Sequence, residues 1–220
     1  MLENYRYSRL IGNHSEILRI FLLYFLLAFI SVITYVLLTV TLSFRRASLS
    51  FNSNLDLEWL LLAVSASTIV SVSEEIIFRG FVLGFLLNKR NVASALILQA
   101  FIFALLHIVG AFFGGINNGG VLALYFANMF LGGLLLGAIY VQEGSLVAPI
   151  TFHFSWNFTA YFLFGFRGSQ SLLVVSSLSN IWIGNFEKDV LTLVVFVFLL
   201  LLVGKKDYFG KWVWRVKHCV

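Results

Sequence analysis

The chain has 220 residues, 60% of them hydrophobic and 11% charged, with a mean hydropathy of +0.94. A soluble domain of this size cannot hide so much apolar surface, so the composition excludes a soluble enzyme and makes lipid the solvent. The formal charge of +5 does not point to nucleic acid, because the basic residues cluster beside apolar runs, as in cytoplasmic membrane loops.

With 24 Phe and one Pro, the chain suits long unbroken helices rather than the short alternating segments of an outer-membrane barrel. The first apolar run, Ile17–Leu42, is too long for the apolar part of a cleaved signal peptide and lacks a small-residue cleavage site. It reads as a retained span. Five further runs approach the roughly 20 residues a crossing helix needs: Leu57–Leu87, Val92–Phe113, Val121–Val141, Ser145–Phe164 and a short Val190–Val203. The second is long enough to tilt strongly or to break near Ser71–Ser73, whose hydroxyls are expected to bond back to the preceding turn. FGGINNGG (Phe113–Gly120) reads as a glycine-rich turn; no Lys follows it, which argues against a phosphate loop.

The expected fold is all-α, a multi-pass transmembrane helical bundle of about six spans, forming one integral-membrane domain over residues 1–220. Lys89 and Arg90, the tail lysines and arginine from Lys205 to Lys217, and Arg6, Arg9 and Arg19 share one side if both termini are cytoplasmic. Arg45 and Arg46 are the exception. Trp212, Trp214, Tyr208 and Phe209 read as interfacial anchors in the basic tail. Cys219 has no internal disulfide partner and stands in the wrong place for a prenylation box. His14 and His218 belong to the polar tails.

The stretch SVSEEIIFRG (Ser71–Gly80) interrupts the second run with two carboxylates and a guanidinium. Each ionisable group at mid-membrane costs about 2.5–3.5 kcal/mol on insertion scales, so three together need pairing or a water-filled cavity. On a helix, Glu75 and Arg79 stand at i,i+4 with the acid N-terminal, the better orientation for an ion pair. Glu74 is about 140° around the axis from Arg79 and is left over. A carboxylate without a partner in a low-dielectric site has the makings of a general base.

Other spans carry polar side chains at matching depth. Glu74 lies roughly 21 Å from the loop at Asn88, His107 of FALLH roughly 22 Å from Val92, and Asn157 of HFSWN roughly 18 Å from Ser145, at helical rise. His153 shares a helix face with Asn157. Taken singly, His107 is a histidine that can simply bond a carbonyl, and Asn157 can be interhelical glue. Their common depth favours one shared site. Ser155 faces away from His153, and no Ser-His-acid arrangement is visible.

EEIIFR fits EExxxR, FALLH fits FxxxH and HFSWN fits HxxxN, in that order, over about Leu57–Phe164. In this the chain resembles the CPBP intramembrane proteases, the CAAX-protease and bacteriocin-processing family also called Abi. The resemblance implies a glutamate-dependent endopeptidase in which Glu74 and His107 activate a water while His153 and Asn157 stabilise the oxyanion, with Glu75 and Arg79 supporting the site. It implies no cofactor, a site buried in the membrane, and a peptide or protein substrate, either prenylated or bearing a leader. It leaves open CAAX processing, bacteriocin maturation and immunity. The short chain leans towards a bacterial plasma-membrane member.

Three rivals stand beside this reading. A zinc metalloprotease would use Glu74, His107 and His153 as a His₂Glu set, although HExxH is absent. A proton-coupled transporter would use the Glu and His residues as a relay, but no inverted repeat is visible. The third is a scaffold that keeps the site and works by binding.

Overall fold

The computed structural model describes residues 14–42, 49–52, 57–116, 118–164, 172–175 and 186–204. In chain order the elements are α1 (His14–Leu42), β1 (Leu49–Phe51), α2 (Leu57–Glu75), a π-helical segment (Ile76–Leu83), α3 (Gly84–Leu87), α4 (Val92–Phe113), α5 (Gly119–Glu143), α6 (Val147–Phe164), β2 (Leu173–Val175) and α7 (Phe186–Gly204).

The helix ends follow local chemistry. Asn91 caps α4 by accepting from the Ser94 amide (2.9 Å), and Asn118 caps α5 by accepting from Val121 (3.2 Å). Each satisfies an amide that the first helical turn leaves open. Gly144 ends α5 at φ 65°, a left-handed conformation suited to glycine, and the chain then reverses directly into α6. Pro149 sits in the first turn of α6, where a missing amide costs nothing.

Among the described residues, four helices are long and apolar enough to cross a membrane: Ser15–Leu38, Leu57–Leu87, Val92–Phe113 and Gly119–Glu143. Their exposed side chains are largely apolar, including Phe81, Phe85 and Phe113, as lipid-facing surfaces require. Four of the six expected spans are thus long apolar helices among the described residues, in keeping with a multi-pass membrane protein. In α6, Thr151, His153, Ser155, Asn157 and Thr159 dilute the apolar character, and Thr192–Gly204 of α7 is a shorter apolar helix. A ribbon of three residues per strand, with Ser50 opposite Val174, is the one β feature among the described residues. It ties the connection after α1 to the connection after α6.

Leu57–Leu87 departs from expectation in where it is irregular. The α-helix runs unbroken through Ser71–Ser73, and the irregularity comes after the acids, where Ile76–Leu83 adopts i→i+5 pairing. Ser71 and Ser73 do bond back, donating to the Ser67 and Ile69 carbonyls at 2.6 Å each. These local bonds are made without breaking the ladder.

Packing places α4 against α5, α6 against both α1 and α2, and α7 against α5. The α4–α5 seam is close because glycines line it. A Cβ at Gly133 would lie 3.0 Å from Ala100 Cα, and one at Gly137 would lie 2.8 Å from Leu96 Cδ2. Small residues four apart let helix backbones approach in lipid, where burial itself offers little driving force. The main apolar cluster joins Tyr24, Ala28 and Val32 of α1 to Leu135 and Ile139 of α5, Phe152 of α6 and Phe196 of α7.

Candidate active site

The seven residues of the three motifs converge on one region between α2 with its π-helical segment, α4 and α6. Glu75 and Arg79 form the expected ion pair, Arg79 Nη1 donating to Glu75 Oε1 at 2.9 Å, and both side chains are 0% exposed. The π-helical turn between them keeps this i,i+4 contact. Arg79 does more than close the pair. Its Nη2 donates to the Gly133 carbonyl of α5 (3.1 Å), and its guanidinium lies 4.9 Å from the Phe103 ring centroid. One cation therefore joins the acid-bearing helix to α4 and α5.

His107 Nδ1 lies 2.8 Å from the Phe103 carbonyl. A carbonyl only accepts, so Nδ1 carries the proton and Nε2 is left to face the site. His153 Nδ1 lies 2.8 Å from Glu75 Oε1. That oxygen belongs to a carboxylate already paired with Arg79, so here too Nδ1–H is the donor.

Both free Nε2 atoms then meet Glu74. His107 Nε2 is 3.7 Å from Glu74 Oε1, and His153 Nε2 is 3.9 Å from Glu74 Oε2. These separations exceed direct hydrogen-bond length, and a water seated beside either pair on the cavity side is within reach of both groups. The Glu74, His107 and His153 side chains keep 25%, 22% and 12% exposure, whereas Glu75 has none, so the adjacent acids differ in access.

Glu74, His107, His153 and Asn157 all line a cavity of about 560 Å³. Its remaining lining is mostly apolar or aromatic, including Phe103, Leu135, Phe152 and Trp156. A low-dielectric pocket with a few convergent polar groups is the form of a binding or catalytic site. Ser155, on the opposite side of α6, is fully buried and donates to the Phe25 carbonyl of α1 at 2.8 Å, a packing role.

Sequence reasoning did not find the far wall, to which α1 contributes Val32, Tyr35 and Val36 and α7 contributes Thr192 and Phe196. Nor did it find Gly133 or the Glu75–His153 bond. The spacing of Gly133 and Gly137 carried a signal for the seam, and buried Asn128, another cavity residue, is the sort of intramembrane polar group that draws attention. The bond between residues 78 apart in sequence had no signal at all. Arg6, Arg9, Arg45, Arg46 and the tail from Lys205 to Cys219 lie outside the described residues.

Among the described residues, no group of three or more His, Cys, Asp or Glu is arranged to hold a metal ion. Comparison with known proteins gives one family. Residues 56–159 match the model described as Rce1-like, "Type II CAAX prenyl endopeptidase Rce1-like". No curated protein and no solved structure matches.

Proposed function

Over residues 56–159 the chain belongs to the Rce1-like type II CAAX prenyl endopeptidase family and is a peptidase; from this premise we propose that Glu74 is the general base of hydrolysis within the membrane. The observation that carries this reading is the pair of imidazole Nε2 atoms flanking Glu74 at 3.7 and 3.9 Å in an otherwise apolar cavity. Glu74 takes a proton from a water that also donates to His107 Nε2. The hydroxide oxygen bonds to the carbonyl carbon, and the oxygen that gains negative charge faces His153 and Asn157. Asn157 offers its amide N–H as it stands, and His153 becomes a donor when its Nε2 carries a proton; donors at that position are worth a few kcal/mol in the transition state. When the C–N bond breaks, the proton held by Glu74 passes to the leaving nitrogen.

The substrate is a peptide, and the apolar lining favours one whose scissile segment is itself membrane-associated, prenylated or leader-bearing. The apolar helices and their basic flanks suit a multi-pass protein of the cell membrane with both termini cytoplasmic and the whole chain as one membrane-embedded unit. The β1–β2 ribbon supports that alternation. It joins the α1–α2 and α6–α7 connections, which six crossings put on the same outer face, even though the first carries Arg45 and Arg46.

The test is a proteomic comparison of membranes carrying wild type or Glu74→Ala. An uncut precursor accumulating only with the variant is expected, and cleavage by purified protein should persist in o-phenanthroline. Activity lost on chelation and restored by zinc would replace the glutamate reading with a metalloprotease. An identical proteome in the two strains, with a purified Glu74→Ala protein still cutting peptide, would end it.

A further inference from the structure

We propose that Glu75 is the positioning residue for His153, and that Arg79 serves to hold Glu75 in that task. This rests on the reading of His153 as a group facing the oxyanion. The single atom Glu75 Oε1 accepts two bonds, from Arg79 Nη1 at 2.9 Å and from His153 Nδ1–H at 2.8 Å. The carboxylate is fully buried, and Arg79 is itself fixed by the Gly133 carbonyl and the Phe103 ring. Residues from α4 and α5 thus fix the atom to which a ring on α6 is bonded.

The chemical consequence concerns the other ring nitrogen. With the Nδ1 proton held by a buried carboxylate, proton exchange with the reaction is confined to Nε2, which faces the cavity. A neutral ring in this tautomer offers a lone pair at Nε2, which cannot stabilise an oxyanion. It becomes a donor when Nε2 also carries a proton, and the ring is then cationic. The negative charge of Glu75 sits 2.8 Å away to compensate that cation. The arrangement follows the general pattern of a buried carboxylate orienting a working imidazole. A carboxylate needed only to neutralise Arg79 has no reason to share its bonded oxygen with a second ring.

The variants must separate positioning from fold. Glu75→Gln alone strands the Arg79 charge in a buried site, so misfolding would mask its effect. The double variant Glu75→Gln/Arg79→Met removes both charges together, a change buried ion pairs often tolerate. In a detergent-purified peptidase assay, the double variant is expected to melt near the wild type, with kcat lower by about 10²-fold or more and KM within about threefold. Glu74→Gln is assayed in parallel. A folded double variant at wild-type kcat, beside an inactive Glu74→Gln, overturns the Glu75 proposal and leaves the glutamate reading standing. Glu74→Gln at wild-type rate overturns both.

A second measurement does not depend on the double variant folding. Nitrogen NMR of ring-labelled wild-type protein, with His153 assigned through His153→Gln, is expected to show a proton on Nδ1. A neutral His153 protonated only on Nε2 overturns the proposal.

Discussion

The cavity has two walls of different character. One, from α2, α4 and α6, carries Glu74, His107, His153 and Asn157; the other, from α1 and α7, carries Val32, Tyr35, Val36, Thr192 and Phe196. The first lies within residues 56–159, where the family resemblance runs, and the second lies wholly outside it. Polar groups in a membrane need protein on every side, because lipid offers them no hydrogen bonds. The second wall therefore shields the first and sets the room available, while the chemistry stays on one side. Chemistry and room should respond to different substitutions.

The largest expected effect is on the polar wall. Glu74→Gln should lower hydrolysis by about 10³-fold or more, near the upper range for loss of a general base, in a steady-state peptide assay. Its melting temperature should hold or rise, because the charge removed is half-buried and has no Arg or Lys paired with it. His107→Ala should match that loss, and the double variant should add little, as residues acting as a unit do not add. A fully additive double variant would separate the two roles.

Asn157→Ala comes next, at about 10²-fold in kcat, the loss of one oxyanion donor. An effect confined to KM would make Asn157 a substrate-binding group instead. The room left between the two walls is probed from the α4 side through Gly110, which lines the cavity and whose added Cβ would meet nothing within 4 Å. Gly110→Leu should raise KM about tenfold for bulky substrates and little for small ones, since a methylene or two in an apolar pocket is worth about 1–3 kcal/mol. Equal losses for both substrate sizes would mean that the substitution disturbs His107, one turn away.

The smallest effect is expected where neither wall is touched. Tyr24 of α1 donates to Glu143 Oε1 at the end of α5, at 2.6 Å. Tyr24→Phe should cost about 1.5 kcal/mol, read by thermal denaturation, with kcat unchanged. A kinetic effect there would show that the α1–α5 clamp reaches the site.

The comparison also explains what the sequence could reveal. Glu74, His107, His153 and Asn157 were visible because an ionisable or amide group in an apolar run is costly and stands out. Their shared depth was readable by counting residues at helical rise, and the Glu75–Arg79 pair by counting four. The apolar wall was hidden for the opposite reason. Val32 or Phe196 differs in no way from its lipid-facing neighbours until the tertiary packing is known. Length suggested a strong tilt or a break near Ser71–Ser73, but those hydroxyls are satisfied by the preceding turn, and the irregular segment is Ile76–Leu83, where Gly80 within the helix was the available cue. The four-helix result had a similar cause. The polar residues that make α6 useful also make it less like a membrane span.

That irregular segment has a consequence for how the chain tolerates insertion and deletion. An i→i+5 ring encloses one more residue than an i→i+4 ring, so the eight residues Ile76–Leu83 store a surplus that a regular helix would not need. Deleting one of them, such as Ile77, would let the ladder close in ordinary α-helical register. The residues before the cut would keep nearly their present direction, because the residue removed is the one the wider rings absorb, but Glu75 and Arg79 would stand three apart instead of four. The same deletion in the regular turn of α3 would rotate both acids by about 100° relative to the Lys89–Arg90 turn, with no side chain of the site altered. The wide rings are thus the one part of this helix where a change of length can be absorbed without re-aiming the acids.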